Sequence, residues 1–244
     1  PYQKECISSC LEELATGSRR IAVSLPTGAG KTVIFTHLID QLKPAKGHGE
    51  KTMVLVHRRE LAIQAAETCK RAYPDKRVDI EMGKFVAGED ADIVVASVQT
   101  LIRGRIANFD PKDFKMVIVD ECHHAAADSY LEILRHFEIT EKKSDVALVG
   151  FSATLRREDD KVLEHTFDKM VFHLSLEQLI FDKHLVDAKF TTVTLANADL
   201  GKVKSARGDF VISGLAEAVN TAQNNEVVLG TYLHFEQTHN IKST

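Results

Sequence analysis

The stretch "SLPTGAGKT", Ser24 to Thr32, decides how the rest of the chain is read. It joins an apolar run, "IAVSL" (21–25), to "KTVIFTHLIDQL" (31–42), whose apolar residues recur at helical spacing. A strand that runs into a glycine-bearing turn and then a helix leaves free backbone N–H groups at the positive end of the helix dipole. These groups converge on an anion. The strict phosphate-loop pattern is G-x-x-x-x-G-K-[ST]. Leu25 stands where its first glycine belongs, so only Gly30-Lys31-Thr32 match, with Gly28 as an additional glycine. Taken alone, the stretch fits either a nucleotide loop or a strand-to-helix turn carrying an ordinary surface lysine.

Outward from this stretch, short β-branched runs alternate with helix-period segments. "TMVLVH" (52–57), "DIVVASV" (92–98), "FKMVIVD" (114–120) and "VALVGFSA" (146–153) are nearly continuous apolar strands, the pattern of strands buried on both faces. Segments 31–42, 58–72, 99–107 and 125–138 are amphipathic. This series predicts an α/β fold, a parallel sheet covered by helices. A further helix is predicted ahead of it, Tyr2 to Ala15, closed by Gly17. Around Asp187 the character changes: "AKFTTVTL" (188–195) alternates like a strand, and 196–209 is polar and reads as a linker. The remainder reads as one or two helices, with Asn224-Asn225 as a cap between them. The expected organisation is one domain over 1–187, then a linker and the start of a truncated second domain over 188–244.

With 244 residues, 44% of them hydrophobic, the chain suffices for one substantial core and a smaller appendage. A net charge of −4 gives no global attraction for nucleic acid or an anionic membrane, so any such contact must come from local clusters. No run of 18 apolar residues appears, so no membrane span is expected. The chain starts at Pro1 and ends on "NIKST", and it reads as a segment cut from a longer protein, so it carries no information on targeting. Cys6, Cys10, Cys69 and Cys122 form no C-x-x-C pair. Cys6 and Cys10 share a helix face as small buried apolar residues, which points to a reducing compartment.

A phosphate loop needs a partner, and "MVIVDECHH" (116–124) supplies one. Its apolar run places Asp120 and Glu121 at the C-terminal edge of a buried strand, where ligands sit in open α/β sheets. Phosphoryl transfer needs a magnesium ligand and a group that orients water, and Asp120 suits the first role and Glu121 the second. The adjacent His123 and His124 lack the spacing that would put two zinc ligands on one helix face. A different class of chemistry is also open. "GFSAT" (150–154) approaches the serine-hydrolase elbow G-x-S-x-G, with His165, His173 and His184 downstream. Thr154 replaces the elbow's final glycine, and no glycine-rich oxyanion loop accompanies it.

"LPTGAGKT", "DECH" and "SAT" (Ser152 to Thr154), in this order and spacing, resemble the first motor domain of a superfamily 2 helicase of the DExH type. In that family the loop resembles A-x-x-G-x-G-K-T, which accommodates Leu25. The resemblance covers Tyr2 to about Leu185 and is strongest to the branch containing type III restriction subunits, more narrowly to fungal mitochondrial helicases acting on DNA. It implies a RecA-like sheet, ATP and magnesium as cofactors, and nucleic acid and a second motor domain as partners, with DNA favoured. Gln3, beside Tyr2, resembles the adenine-reading element, and Thr27, Gly28, Ala29, Gly30, Lys31 and Thr32 form the nucleotide loop. Thr32 and Asp120 are the implied metal ligands, Lys31, Asp120 and Glu121 the catalytic set, and His123, Ser152 and Thr154 the coupling residues. "VHRREL" (56–61), with Arg58 and Arg59, and "ASVQTL" (96–101), with Ser97, Gln99 and Thr100, resemble nucleic-acid contacts. Arg58 and Arg59 follow the strand "TMVLVH" and Arg103 and Arg105 lie just beyond "ASVQTL", so both pairs are expected on one rim above the sheet. Lys84, Arg156 and Arg157 are further basic candidates. Few aromatics accompany them, which favours phosphate tracking over base stacking. A nucleotide-regulated scaffold without turnover is the remaining alternative, although a water-orienting Glu121 has no use in one.

Overall fold

The computed structural model describes residues 1–140, 144–155, 166–187, 192, 205–206, 209–210 and 212–239. Arg156, Arg157 and His165, with most of the expected strand 188–195 and linker 196–209, lie outside them. The chain divides into two compact units, Pro1–Val186 and Asp187–Thr244.

In the first unit the apolar runs become β1 (Arg20–Ser24), β2 (Lys51–Val56), β4 (Ile93–Ser97), β5 (Phe114–Asp120) and β6 (Ala147–Ser152). Two strands not expected from the sequence, β3 (Val78–Glu81) and β7 (Lys169–His173), complete the sheet. Both are edge strands, half exposed and mixed in polarity, so they lack the continuous apolar signature of a strand covered on both faces. Among the described residues the sheet has seven strands in the order β3-β4-β2-β5-β6-β1-β7, every pairing parallel. The register sets Ser24 of β1 opposite Ser152 of β6, and Asp120 of β5 opposite Phe151. The C-terminal tips of these three neighbouring strands therefore share one edge.

Side-chain alternation along the strands builds two cores. On one face Ile21, Val23, Val54 and Val149 pack with α1 (Tyr2–Ala15), α2 (Lys31–Gln41) and α3 (Arg59–Ala72). On the other, Ala22, Met53, Leu55 and Leu148 pack with α4 (Val98–Leu101) and α5 (Asp128–His136). The helices present matching stripes: Ile34, Phe35, Leu38 and Ile39 in α2, and Ala62, Ala65, Ala66 and Cys69 in α3, are buried at i, i+3, i+4 spacing. Cys6 and Cys10 are fully buried in α1 and belong to the first core. Gly17 follows α1 at φ 101°, the left-handed position that closes a helix.

The expected helix 99–107 is shorter than its pattern. Four residues, Val98–Leu101, are helical, and Gly104 at φ 98° starts a separate 3-10 turn over Arg105–Asn108. The helix expected over 125–138 begins at Asp128, because a 3-10 turn, Cys122–His124, takes the chain off β5 first. A short helix, α6 (Leu176–Phe181), ends the first unit. In the second unit, β8 (Ser205–Ala206) and β9 (Asp209–Phe210) pair antiparallel, and α7 (Ile212–Val219) and α8 (Ala222–His239) follow. The break between these helices falls at Asn220-Thr221, not at Asn224-Asn225. The Thr221 hydroxyl accepts from the Asn224 N–H at 3.2 Å and caps α8, which leaves both asparagines in its first turn. No helix among the described residues is long and apolar enough to cross a membrane.

Candidate nucleotide and nucleic-acid site

The loop after β1 is shaped by its glycines. Gly28 and Gly30 hold φ 84° and 75°, and Gly30 is the N-cap of α2. A Cβ on Gly30 would collide with the Gln3 amide, and one on Gly28 would lie 3.3 Å from Leu185. Side chains here would fill a turn that must stay open. The loop is braced from outside by α1: the Tyr2 hydroxyl donates to the Ala29 carbonyl at 2.8 Å, and the Gln3 amide donates to the same oxygen at 3.3 Å. Tyr2 in turn packs on His184, ring centroids 5.0 Å apart.

Lys31, at the start of α2, reaches back across this loop. Its ammonium donates to the Leu25 carbonyl at 3.4 Å and lies 3.8 Å from Glu121. Thr27, Gly28, Gly30, Lys31, Thr32, Asp120 and Glu121 line one cavity of about 660 Å³, which extends between α2 and α3 past Thr36, Gln64 and Arg71. Burial, and then the charge of Glu121, raise the Asp120 pKa above the usual carboxylate value, with Lys31 opposing them. A cation brought against Asp120 removes that cost. The donors facing the cavity suit the groups in question: positive-φ glycines and a helix N-terminus for phosphates, a hydroxyl and a carboxylate for a hard divalent ion.

Glu121 sits in the left-handed region, φ 55° and ψ 52°, a conformation that costs a residue with a side chain about 1–2 kcal/mol. It turns the chain sharply off β5 so that His123 points at the tip of β6. There His123 Nδ1 lies 2.9 Å from Ser152 Oγ and 3.3 Å from Glu121 Oε2. Ser152 Oγ also lies 3.3 Å from Thr154 Oγ1 and accepts from the Thr154 N–H at 3.2 Å. The base of the loop joins the same group: the Leu25 N–H donates to the Ser152 carbonyl at 2.9 Å, and the Ser24 hydroxyl to the Leu155 carbonyl at 3.0 Å. Gly150 makes the approach possible, because a Cβ there would lie 2.8 Å from that of Cys122. This arrangement does not suit a serine nucleophile. Ser152 is fully buried, and its hydroxyl and Glu121 address the same nitrogen of His123, so no carboxylate–imidazole–serine relay is formed.

Beyond the carboxylates a second cavity, about 570 Å³, is lined by His57, Arg58, Glu60, Leu61, Glu121, His123 and His124. His124 packs on His123 with the rings tilted, centroids 4.0 Å apart, and meets the His57 ring edge-on at 5.4 Å. His57 and His124 are held below the ordinary histidine pKa, in both cases chiefly by burial. His57 received no role from the sequence. It sits at the end of β2, beside the tip of β5.

The basic and polar candidates divide. Arg58 and Arg59 start α3, Arg103 and Gln99 are exposed, and Thr100 accepts from the Gly83 N–H at 3.2 Å. Ser97 is buried at the tip of β4. Arg105 does not join Arg103 as a free cation: it pairs with the buried Glu81 and donates to the carbonyls of Gly83 and Phe85 at 2.7 and 3.0 Å. The Phe85 ring lies 6.0 Å from the Arg59 guanidinium, an aromatic neighbour that sequence distance conceals.

Residues 1–157 match the family of the type III restriction enzyme res subunit. The chain is 46% identical over its whole length to the ATP-dependent helicase of Saccharomyces cerevisiae named IRC3, of which it covers 36%. It is 44% identical over 79% of its length to the mitochondrial ATP-dependent helicase irc3 of Schizosaccharomyces pombe, of which it covers 32%. The chain thus spans about a third of the length of these curated relatives. Among solved structures, the Hef helicase domain of Pyrococcus furiosus superposes with a TM-score of 0.61 at 21% identity, covering 78% of this chain and 41% of that one. UvsW of bacteriophage T4 superposes at 0.52 and 22% identity over 70% of this chain and 33% of that one. Both likenesses bear on the fold alone, and it is RecA-like. Loop, carboxylates and serine-threonine tip stand on adjacent strands of that fold, and the family match runs through all three: the chain belongs to the type III restriction enzyme res subunit family, as the first motor domain of a superfamily 2 helicase of that branch.

Proposed function

We propose that the full-length protein couples ATP hydrolysis to movement on nucleic acid, that DNA is the favoured strand, and that residues 1–187 are its ATP-binding half, with 188–244 leading into a second motor domain. The observation that carries this reading is the convergence of Lys31, Glu121 and Ser152 from three neighbouring strand tips. The family's name, that of a restriction enzyme subunit, is what favours DNA. Two relatives named as helicases support the activity, and the name of the S. pombe protein supports a mitochondrial location. Four free, buried cysteines fit a reducing interior.

In this reading the amides of Thr27 to Gly30 and the Lys31 ammonium bind the nucleotide's phosphates, and Gln3 contacts the adenine beside the loop that it braces. Thr32 and Asp120 hold magnesium, which when bound neutralises phosphate charge. Glu121 orients the attacking water from its fixed left-handed turn. His123, Ser152 and Thr154 link the carboxylate turn to the next strand tip and so pass nucleotide state to the strand grip formed by Arg58, Arg59, Ser97, Gln99 and Thr100. The test is ATP turnover by the full-length protein with single-stranded DNA, duplex DNA and RNA. DNA should stimulate turnover most, and Lys31→Ala should lower it by about 10²-fold or more without unfolding the chain. Wild-type turnover in that variant refutes the reading, and nucleotide binding without turnover in the wild type favours a scaffold.

A further inference from the structure

A two-residue loop, Gly83-Lys84, follows β3 at the same sheet edge as the nucleotide loop. Met82 and Phe85 close it with paired backbone hydrogen bonds of 3.1 and 2.9 Å, and Gly83 takes φ 56°. Its side chains are exposed: Phe85 is 40% accessible and Val86 67%. Exposed apolar residues are common and by themselves mean little. What distinguishes this loop is how firmly its backbone is held. Glu81, with 2% of its side chain accessible, pairs with Arg105 and also accepts from the Ala87 N–H at 2.8 Å. Arg105 donates to the carbonyls of Gly83 and Phe85, and Thr100 accepts from the Gly83 N–H. The loop is therefore tied down by Glu81, by Thr100 of the strand-contacting candidate 96–101, and by Arg105 just beyond that segment. The Glu81–Arg105 pair and these hydrogen bonds together fix the backbone of the loop. The backbone so held carries a partly exposed aromatic ring.

Two cations lie over that ring. The Arg59 guanidinium lies 6.0 Å and the Lys84 ammonium 5.7 Å from its centroid. Arg59, Met82, Gly83, Lys84 and Phe85 line a shallow concavity of about 210 Å³, room on the scale of a single planar ring. A partly exposed ring in cation–π contact with an arginine and a lysine, beside a concavity of that size, offers partners for both parts of a nucleotide, the flat base and the phosphate.

We propose that Phe85 is a stacking platform for one nucleobase of the bound strand, with Arg59 and Lys84 on the adjoining phosphates and Arg105 as the positioning residue that holds the platform. This rests on the proposal that the protein binds nucleic acid, and it adds a base contact to what was read as phosphate tracking. The preorganised ring takes any base, since every base offers a π-face.

The test uses the full-length protein and fluorescence anisotropy on strands of equal length, one carrying bases and one abasic, each made as DNA and as RNA. Phe85→Ala should weaken binding of the base-bearing strand by about 5- to 150-fold and of the abasic strand by less than about two-fold. Phe85→Trp should restore the difference. Lys84→Ala should weaken both strands alike and lower the salt slope by about one. Equal effects of Phe85→Ala on both strands, or none on either, overturn the platform while leaving strand binding intact. Failure of the wild type to bind any strand overturns the underlying reading and the platform with it. The ratio of the DNA and RNA arms shows which strand the platform serves.

Discussion

Arg105→Met isolates the clamp beneath the Phe85 loop. The substitution keeps much of the aliphatic stem and removes the guanidinium, so the Glu81 carboxylate stays buried with the Ala87 N–H as its described partner. Removing one member of a fully buried pair costs about 3–5 kcal/mol, because a charge is left uncompensated. Glu81 meets that condition at 2% accessibility, but Arg105 is 31% accessible, so water can reach the space it vacates. The expected loss is therefore nearer 2–3 kcal/mol. The carbonyls of Gly83 and Phe85 add little, since both lie where water can replace the lost donor. At about 2–4 °C per kcal/mol for a chain of this size, Tm should fall by roughly 5–10 °C. Urea unfolding of Arg105→Met, Glu81→Leu and the double variant closes a cycle: the double variant should lose less than Arg105→Met alone, because it buries no unpaired charge. An Arg105→Met protein within about 0.5 kcal/mol of wild type, or strict additivity in the cycle, refutes the clamp.

Asp120 and Glu121 should fail differently. Glu121→Gln should retain magnesium-dependent ATP binding and lose hydrolysis, Asp120→Asn should lose the magnesium dependence too, and identical wild-type turnover in both removes the assignment. Ser152→Ala with Thr154→Ala takes away the hydroxyl that meets His123 and the one behind it, and unwinding per ATP hydrolysed should drop; an unchanged ratio makes them structural. The histidine cluster predicts an acid sensitivity. Burial, then His124 and Arg58, lowers the His57 pKa, and burial, then His123, lowers that of His124. Above the ordinary value of 6.5 both states are neutral at these sites and nothing is lost. As pH falls below it, the unfolded chain binds protons that the folded one resists, so stability declines. Urea midpoints at pH 7.5 and 5.5 should converge in His57→Asn relative to wild type, and an equal decline in both proteins refutes the role.

The α/β class and the parallel sheet were legible in order along the chain, and so were the candidate residues that the structure brings to one edge of it. Strands buried on both faces must be apolar throughout, which is why β1, β2, β4, β5 and β6 stand out as runs. A phosphate loop must place glycine and lysine at fixed offsets from a helix start, so Gly28, Gly30 and Lys31 stood out as candidates, and the second motif, Asp120-Glu121, was needed to choose that reading over an ordinary turn. The edge strands β3 and β7 did not stand out, because one exposed side relaxes the demand for apolar residues. Spatial neighbours far apart in sequence were equally hidden. Arg105 reads as a free cation until Glu81, 24 residues away, is seen to claim it. His57 reads as the end of a strand until His124 meets it across the sheet edge, and Phe85 reads as a loop residue until Arg59 flanks it. Spacing along a chain encodes what one strand, turn or helix needs for itself. Which tips stand side by side is decided by strand order, and strand order is a consequence of packing two helical layers onto one sheet.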